Sequence, residues 1–180
     1  VDASLLETAL GWMSCHFAGY SVTGRPPRRH LSGNPNTVVF QAFDTATKPI
    51  MIAAANDRLF ARLCDVLGRP DLGRDARYAT NRLRVENKPS LLAVLEDILK
   101  SRSCEHWIEV LEAAKIPCGP INDMKTMDAE PQVAALGIIQ DLPDRPVRTV
   151  HLPLSLDGER LRPARSVPAA GEHTEEIVGK

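Results

Sequence analysis

Between Asn56 and Lys115 apolar residues return every third or fourth position, until the stretch "KIPCGPINDM" ends the pattern with two prolines, a glycine and a cysteine at Pro117 to Pro120. Proline lacks a backbone donor and clashes with the preceding helical turn, so neither a helix nor a central strand can pass through these four residues. The chain is thereby confined to a group of helices followed by a fixed, non-repeating bend.

Three helices fit the pattern. The first has Asn56 as its N-cap, Leu59, Phe60, Leu63, Val66 and Leu67 on one face, and Gly68 and Pro70 as its stop. The second, from about Pro89 to Lys100, buries Leu91, Leu92, Val94, Leu95, Ile98 and Leu99. The third, Cys104 to Lys115, buries Trp107, Val110, Leu111 and Ala114. Ahead of them stand two β-branched and aromatic runs, "TVVFQAF" (Thr37 to Phe43) and "PIMIAAA" (Pro49 to Ala55), joined by a short polar connection. An antiparallel hairpin is their simplest pairing. Because "TGRPPRRHLSGNPN" reads as loop from its Gly and Pro content, the middle of the chain is predicted to be a compact α+β unit.

The two ends read differently. Leu5, Leu6, Ala9, Leu10, Met13 and Phe17 recur at helical spacing, with Asp2 or Ser4 placed as N-cap, which predicts one helix from Val1 to about Val22. Trp12, Cys15 and Val22 widen its apolar stripe, so it needs a broad surface to pack against. The first residue is Val1, and with a helix this apolar the expectation is a fragment of a longer chain. From Asp141 to Pro168 five prolines and short apolar runs predict an extended strap, and "GEHTEEIVGK" closes with a turn or two of helix.

Composition narrows the function. The 180 residues are 43% hydrophobic and 25% charged, and 22 basic against 23 acidic residues leave a formal charge of -1. The chain as a whole offers no footprint for nucleic acid. No apolar run approaches the roughly 20 residues a membrane span needs, and no signal sequence opens the chain, so the expected setting is the cytoplasm, with neither nucleic acid nor membrane as partner. Cys15, Cys64, Cys104 and Cys118 form no CxxC pair, and Cys104/His106 and Cys15/His16 are too few ligands to predict a metal. No GxSxG, P-loop, GxGxxG or HExxH motif occurs. "RPPRRH" gathers three arginines and a histidine that suit either a phosphate or a solvated basic loop.

Six blocks, in order, carry a resemblance: "VDASLLETAL", "NPNTVVFQAF", "IMIAAANDRLFARLCDVLGRPDL", "IPCGPIND", "EPQVAALG" and "GEHTEEI". Together they resemble the class III (CaiB/BaiF-type) coenzyme A transferases, which include formyl-CoA transferase and, more distantly, α-methylacyl-CoA racemase. The resemblance implies a homodimer of interlocked chains, each with a large domain built from both chain ends and a small α+β domain between. It assigns residues 1–33 to a helix and linker of the large domain, 34–120 to the small domain, and 121–180 to a return linker and strap with a short terminal helix.

The implied activity moves CoA between an acyl-CoA and a carboxylic acid through an aspartyl anhydride, with a CoA thioester as substrate and no permanently bound cofactor. The nucleophilic aspartate falls upstream of "VDASL", so no catalytic residue and no metal ligand is expected here. By the same resemblance Leu5 lies near the CoA moiety, and His30 to Asn36 replaces a glycine-rich flap, with Gly33 and Asn34 as contact residues. The flap keeps one glycine followed by Asn34 and Pro35, which argues against the formate/oxalate pair. Phe40 in place of a common tyrosine and "TATKP" in place of an Ala-Asp-Gly turn are further departures. A racemase of the same family, or a non-catalytic dimerisation or binding module, are the alternatives. Within "IPCGPIND" the kinks are expected to serve geometry, with Cys118 packed rather than reactive.

Overall fold

A computed structural model describes residues 3–143, 145–162 and 166–179, and divides the chain into one compact unit over Val1–Ile121 and a second over Asn122–Lys180.

The first unit begins with two helices where one was expected: α1 (Leu5–Trp12) and α2 (Ser14–Thr23), separated at Met13. Gly11 lies in the last turn of α1, where its low helix propensity favours a break. Ser4 Oγ accepts from the Glu7 N–H at 3.1 Å, which fixes the N-cap, whereas Asp2 lies outside the described residues. Gly24, at φ 65°, closes α2 through its N–H to Tyr20 O at 2.7 Å.

The sheet of this unit has three antiparallel strands in the order β1 (Phe40–Phe43), β2 (Ile50–Ala53) and β3 (Cys118–Pro120). Phe40 faces Ala53 and Phe43 faces Ile50, giving the expected hairpin. The ladder starts at Phe40 rather than Thr37 because the Val38 backbone is taken by side chains. Its N–H donates to Asn81 Oδ1 at 3.0 Å and its carbonyl accepts from Arg84 Nε at 2.8 Å. The proline-rich bend supplies β3, and Pro120 is tolerated there because β3 is an edge strand.

Helices cover the sheet: α3 (Asp57–Val66), α4 (Pro70–Arg74), α5 (Asn81–Glu86), α6 (Lys88–Leu99) and α7 (Cys104–Ala113), with a 3-10 turn at Ala76–Tyr78. Asn56, Thr80 and Ser103 cap α3, α5 and α7 by accepting the N–H of Leu59, Leu83 and His106. The core joins Val39, Phe43, Ile50 and Ile52 of the sheet segment to Phe60, Leu63, Leu91, Leu95, Leu99 and Leu111 of the helices. Short α4 and α5 lack a repeated apolar stripe and had no counterpart in the sequence reading.

The second unit contains α8 (Met124–Asp128), α9 (Pro131–Leu136), two short antiparallel pairs and α10 (Thr174–Val178). β4 (Ile139–Asp141) pairs with β5 (Arg148–Val150), and β6 (Ser155–Leu156) pairs with β7 (Glu159–Arg160) around Asp157 and Gly158, both at positive φ. The region read as an extended strap thus folds back on itself in two small hairpins. Asp144 and residues 163–165, part of that stretch, lie outside the described residues. Arg148 bridges β5 to the end of α8 through both oxygens of Asp128, at 2.8 and 2.5 Å.

Candidate functional site

The loop from His30 to Asn36 closes on itself and on the free edge of β1. The Gly33 N–H donates to His30 O at 2.8 Å, and Asn36 N–H donates to Asn34 Oδ1 at 2.8 Å, an Asx turn ahead of the strand. The Asn34 N–H donates to Phe40 O at 2.9 Å, and Ser32 Oγ accepts from the Ala42 N–H at 3.2 Å. Outward-pointing backbone groups of an edge strand are thereby satisfied by the loop. Positive φ in this loop falls on Leu31, at 51°, and not on its glycine.

Gly33 is needed for closeness instead. A Cβ there would meet Gln41 Oε1 at 2.9 Å, Lys88 Nζ at 3.0 Å and His30 O at 3.2 Å. Three elements converge on that point: the loop, β1 through Gln41, and the first residue of α6 through Lys88. The Lys88 ammonium donates to Asn34 O at 3.2 Å and so ties α6 to the loop.

Two adjoining clefts of about 420 Å³ each open here. The first is lined by Arg29 to Gly33, Gln41, Ala42, Lys88, Pro89, Leu92 and Glu96. The second shares Ser32, Ala42 and Glu96 and continues to Asp44, Pro49, Lys100 and Ile121. Arg29 and Lys88 both line the first cleft, Lys88 at the start of α6, while Glu96 lies two turns further along that helix, about 12 Å by helical rise. Such an arrangement can hold and orient an anion through an ammonium and an amide. Among the described residues no group of three or more His, Cys, Asp or Glu could hold a metal ion.

The buried and half-buried thiols are not poised for nucleophilic work. Burial pushes the Cys64 thiol up to about 12, with the neighbouring Asp65 charge adding to the effect. Burial raises Cys104 and Cys118 as well. A raised thiol is a poor nucleophile at neutral pH.

Of the three residues the resemblance singled out, Gly33 and Asn34 meet in this loop, whereas Leu5 stands on α1, 92% exposed, and lines neither cleft. Gln41 and Lys88 escaped the sequence reading. Gln41 had a signal: it occupies the core-facing phase of a strand between Val39 and Phe43, where a polar residue is anomalous. Lys88 had none, because only the packing of α6 against the loop brings it there.

The family model for CoA-transferase family III matches residues 1–174. The chain belongs to this family. Within CoA-transferase family III it is 30% identical over 181 residues to human succinyl-CoA:glutarate CoA-transferase, covering 99% of this chain and 41% of that protein. It is 34% identical over 139 residues to acetyl-CoA:oxalate CoA-transferase of Acetobacter aceti, covering 77% and 36% respectively. Its fold resembles the crystal structure of a CAIB/BAIF family protein from Brucella suis, with a TM-score of 0.77, 29% identity, and coverage of 93% of this chain and 44% of that one. The chain spans less than half the length of the curated relatives it matches. Among the described residues, no helix of this family III chain is long and apolar enough to cross a membrane.

Proposed function

We propose that this chain forms the lid-bearing part of an acyl-CoA:carboxylate CoA-transferase, with residues 34–120 as the small domain and 1–33 and 121–180 contributing to the large domain of a homodimer. The observation that carries the reading is the His30–Asn36 loop, drawn over an anion-suited cleft by Lys88 and β1, in a chain matched to CoA-transferase family III over nearly its whole length. Gly33 and Asn34 contact the acyl-CoA from this loop, and Leu5 contacts the CoA moiety from α1.

Transfer runs through an aspartyl anhydride on an aspartate outside these 180 residues. That carboxylate attacks the thioester carbonyl and CoA leaves as the thiolate, giving a mixed anhydride. The thiolate attacks the aspartyl carbonyl and expels the donor carboxylate, the acceptor carboxylate displaces CoA from that aspartyl thioester, and the returning thiolate attacks the acceptor's carbonyl, releasing the new acyl-CoA and the free aspartate. Such a nucleophile needs N–H donors beside it for the developing oxyanion, and the loop's contribution is to close over the reacting carbonyl and exclude water. The relatives are named for glutarate and oxalate, so the acceptor class proposed for this chain is a short dicarboxylic acid.

The test is mass spectrometry of acyl-CoA thioesters after mixing succinyl-CoA with a panel of carboxylic acids. The 180 residues alone are expected to give no thioester above background, and a chimaera joining them to the preceding part of the Brucella suis relative is expected to give new ones. New thioesters from the 180 residues alone would place the nucleophile inside them and overturn the division of labour. An inactive chimaera beside an active parent would count against the transferase reading.

A further inference from the structure

Gln41 and Lys88 are both under-used where they stand. Gln41 is 9% exposed and its side-chain amide lines the first cleft, yet among the described residues that amide has no hydrogen-bond partner. The 9% of Gln41 that solvent reaches includes this amide, and a cleft-wall amide that only water satisfies is free to be taken up by a ligand. Lys88, half-buried, has three donors and places one, on Asn34 O at 3.2 Å. No described carboxylate lies within ion-pair distance of it.

Both polar ends come within 2.9 and 3.0 Å of the point where a Cβ on Gly33 would stand. Any larger residue at position 33 would occupy the point where they converge. The cleft of about 420 Å³ that opens there has Arg29 on its wall, and its lining carboxylate, Glu96, sits two turns along α6. Lys88 and Pro89 are the first residues of α6, a helix of 12 residues, so its positive end adds to the attraction.

We propose that this cleft is a subsite for the free, non-reacting carboxylate of a short dicarboxylic acid, with Lys88 as its ion-pair partner and Gln41 as the amide that sets its position. Lys88 exchanges its bond to Asn34 O for the incoming carboxylate, so seating the acid and releasing the loop are one event. The choice of acid rests on the transferase reading; the anion site itself rests on Gln41, Lys88 and Gly33. Both residues are specificity determinants here, and neither takes part in bond making.

The experiment is a titration of the uniformly 15N-labelled chain with glutarate, pentanoate and inorganic phosphate, following the backbone amides of Ser32, Gly33, Asn34 and Gln41. Glutarate is expected to move these signals saturably, and pentanoate, which has the same carbon count and one carboxylate, to bind at least roughly tenfold more weakly, the scale of one hydrogen bond to a charged group. Lys88→Met removes most of the difference and Lys88→Arg restores part of it. Gln41→Glu keeps the side-chain shape and sets a second negative charge beside the anion, so it abolishes glutarate binding with the fold intact by far-UV circular dichroism. Equal binding of glutarate and pentanoate, or of wild type and Lys88→Met, overturns the proposal. Tighter Lys88-dependent binding of phosphate than of glutarate overturns the carboxylate assignment. Glutarate that moves nothing while the chimaera still forms thioesters sinks the subsite and leaves the transferase reading. Lys88-dependent glutarate binding beside an inactive chimaera does the reverse.

Discussion

Arg84 and Asp57 form a one-sided ion pair: the guanidinium is fully buried, the carboxylate is 58% exposed, and they meet at 2.7 Å. The rest of the guanidinium is spent on backbone, with Nε to Val38 O at 2.8 Å and Nη1 to Tyr78 O at 2.9 Å, above the Phe60 ring at 4.5 Å. Arg84 thus anchors the segment that leads from the loop into β1. Replacing it by Met leaves two carbonyls without donors at about 1–3 kcal/mol each, so Arg84→Met is expected to lose about 3 kcal/mol in urea denaturation. Asp57→Asn is expected to lose about 1 kcal/mol, because the exposed partner is screened by water. Equal losses would mean that the ion pair, not the carbonyl bonds, holds the segment.

Gly33→Ala separates packing from binding. The added methyl pushes on the tips of Gln41 and Lys88, which can swing away, and on His30 O, which is backbone. Thermal stability is expected to change by about 1 kcal/mol or less, while glutarate no longer shifts the Gln41 amide. Gly33→Val is expected to destabilise further, since it adds two methyls beyond a Cβ that already stands 3.2 Å from the His30 carbonyl. A Gly33→Val chain that melts with wild type would show that the loop is not held where the structure puts it.

Thiol chemistry has an order. Cys15 is exposed and is expected to react first with a disulfide reagent at pH 8, Cys118 slowly, and Cys64 and Cys104 only on unfolding. The Cys64 thiol stays protonated in the fold up to about 12 but ionises near 9.0 when unfolded. The unfolded state therefore loses its proton first, and stability is expected to fall as pH rises from about 9 towards 12. Cys64→Ala removes that alkaline loss; an unchanged pH profile would show another group to be responsible.

Acid acts through exposed pairs. The Arg148 side chain beside Asp128, Arg77 beside Asp75 and Arg69 beside Asp71 each hold a carboxylate below its usual range. A depressed carboxylate stabilises the fold above its unfolded value, near 3.8, and that contribution is lost as pH falls through the lower folded value. Arg148→Gln is expected to blunt the acid sensitivity of the second unit, and added salt to do the same. Acid unfolding that ignores both changes would rule these pairs out.

The α1–α2 segment predicts association. Leu5, Leu6, Trp12, Phe17 and Val22 all stand exposed, a larger apolar display than a lone soluble domain carries. Sedimentation of the chain is expected to show concentration-dependent association, reduced by Leu6→Lys with Trp12→Lys. A salt-independent monomer with a cooperative melt would mean that this surface finds cover within the chain.

Much of the fold was legible because its signals are local. Asn56, Gly68 and the Leu59 to Leu67 stripe mark α3 by capping and periodicity, which act over a few residues. The break at Met13, the short α4 and α5, and the folded-back hairpins of the second unit left no such mark: their apolar spacing is too brief to stand out. The sequence by itself determined the three long helices, the β1–β2 hairpin, the bend at Pro117 to Pro120 and the family, all of which depend on neighbours in the chain. Only the tertiary structure decided that Gly33, Gln41 and Lys88 meet at one point. They are up to 55 positions apart, and what joins them is the docking of a loop and a helix end on one strand edge, a relationship that no local pattern encodes.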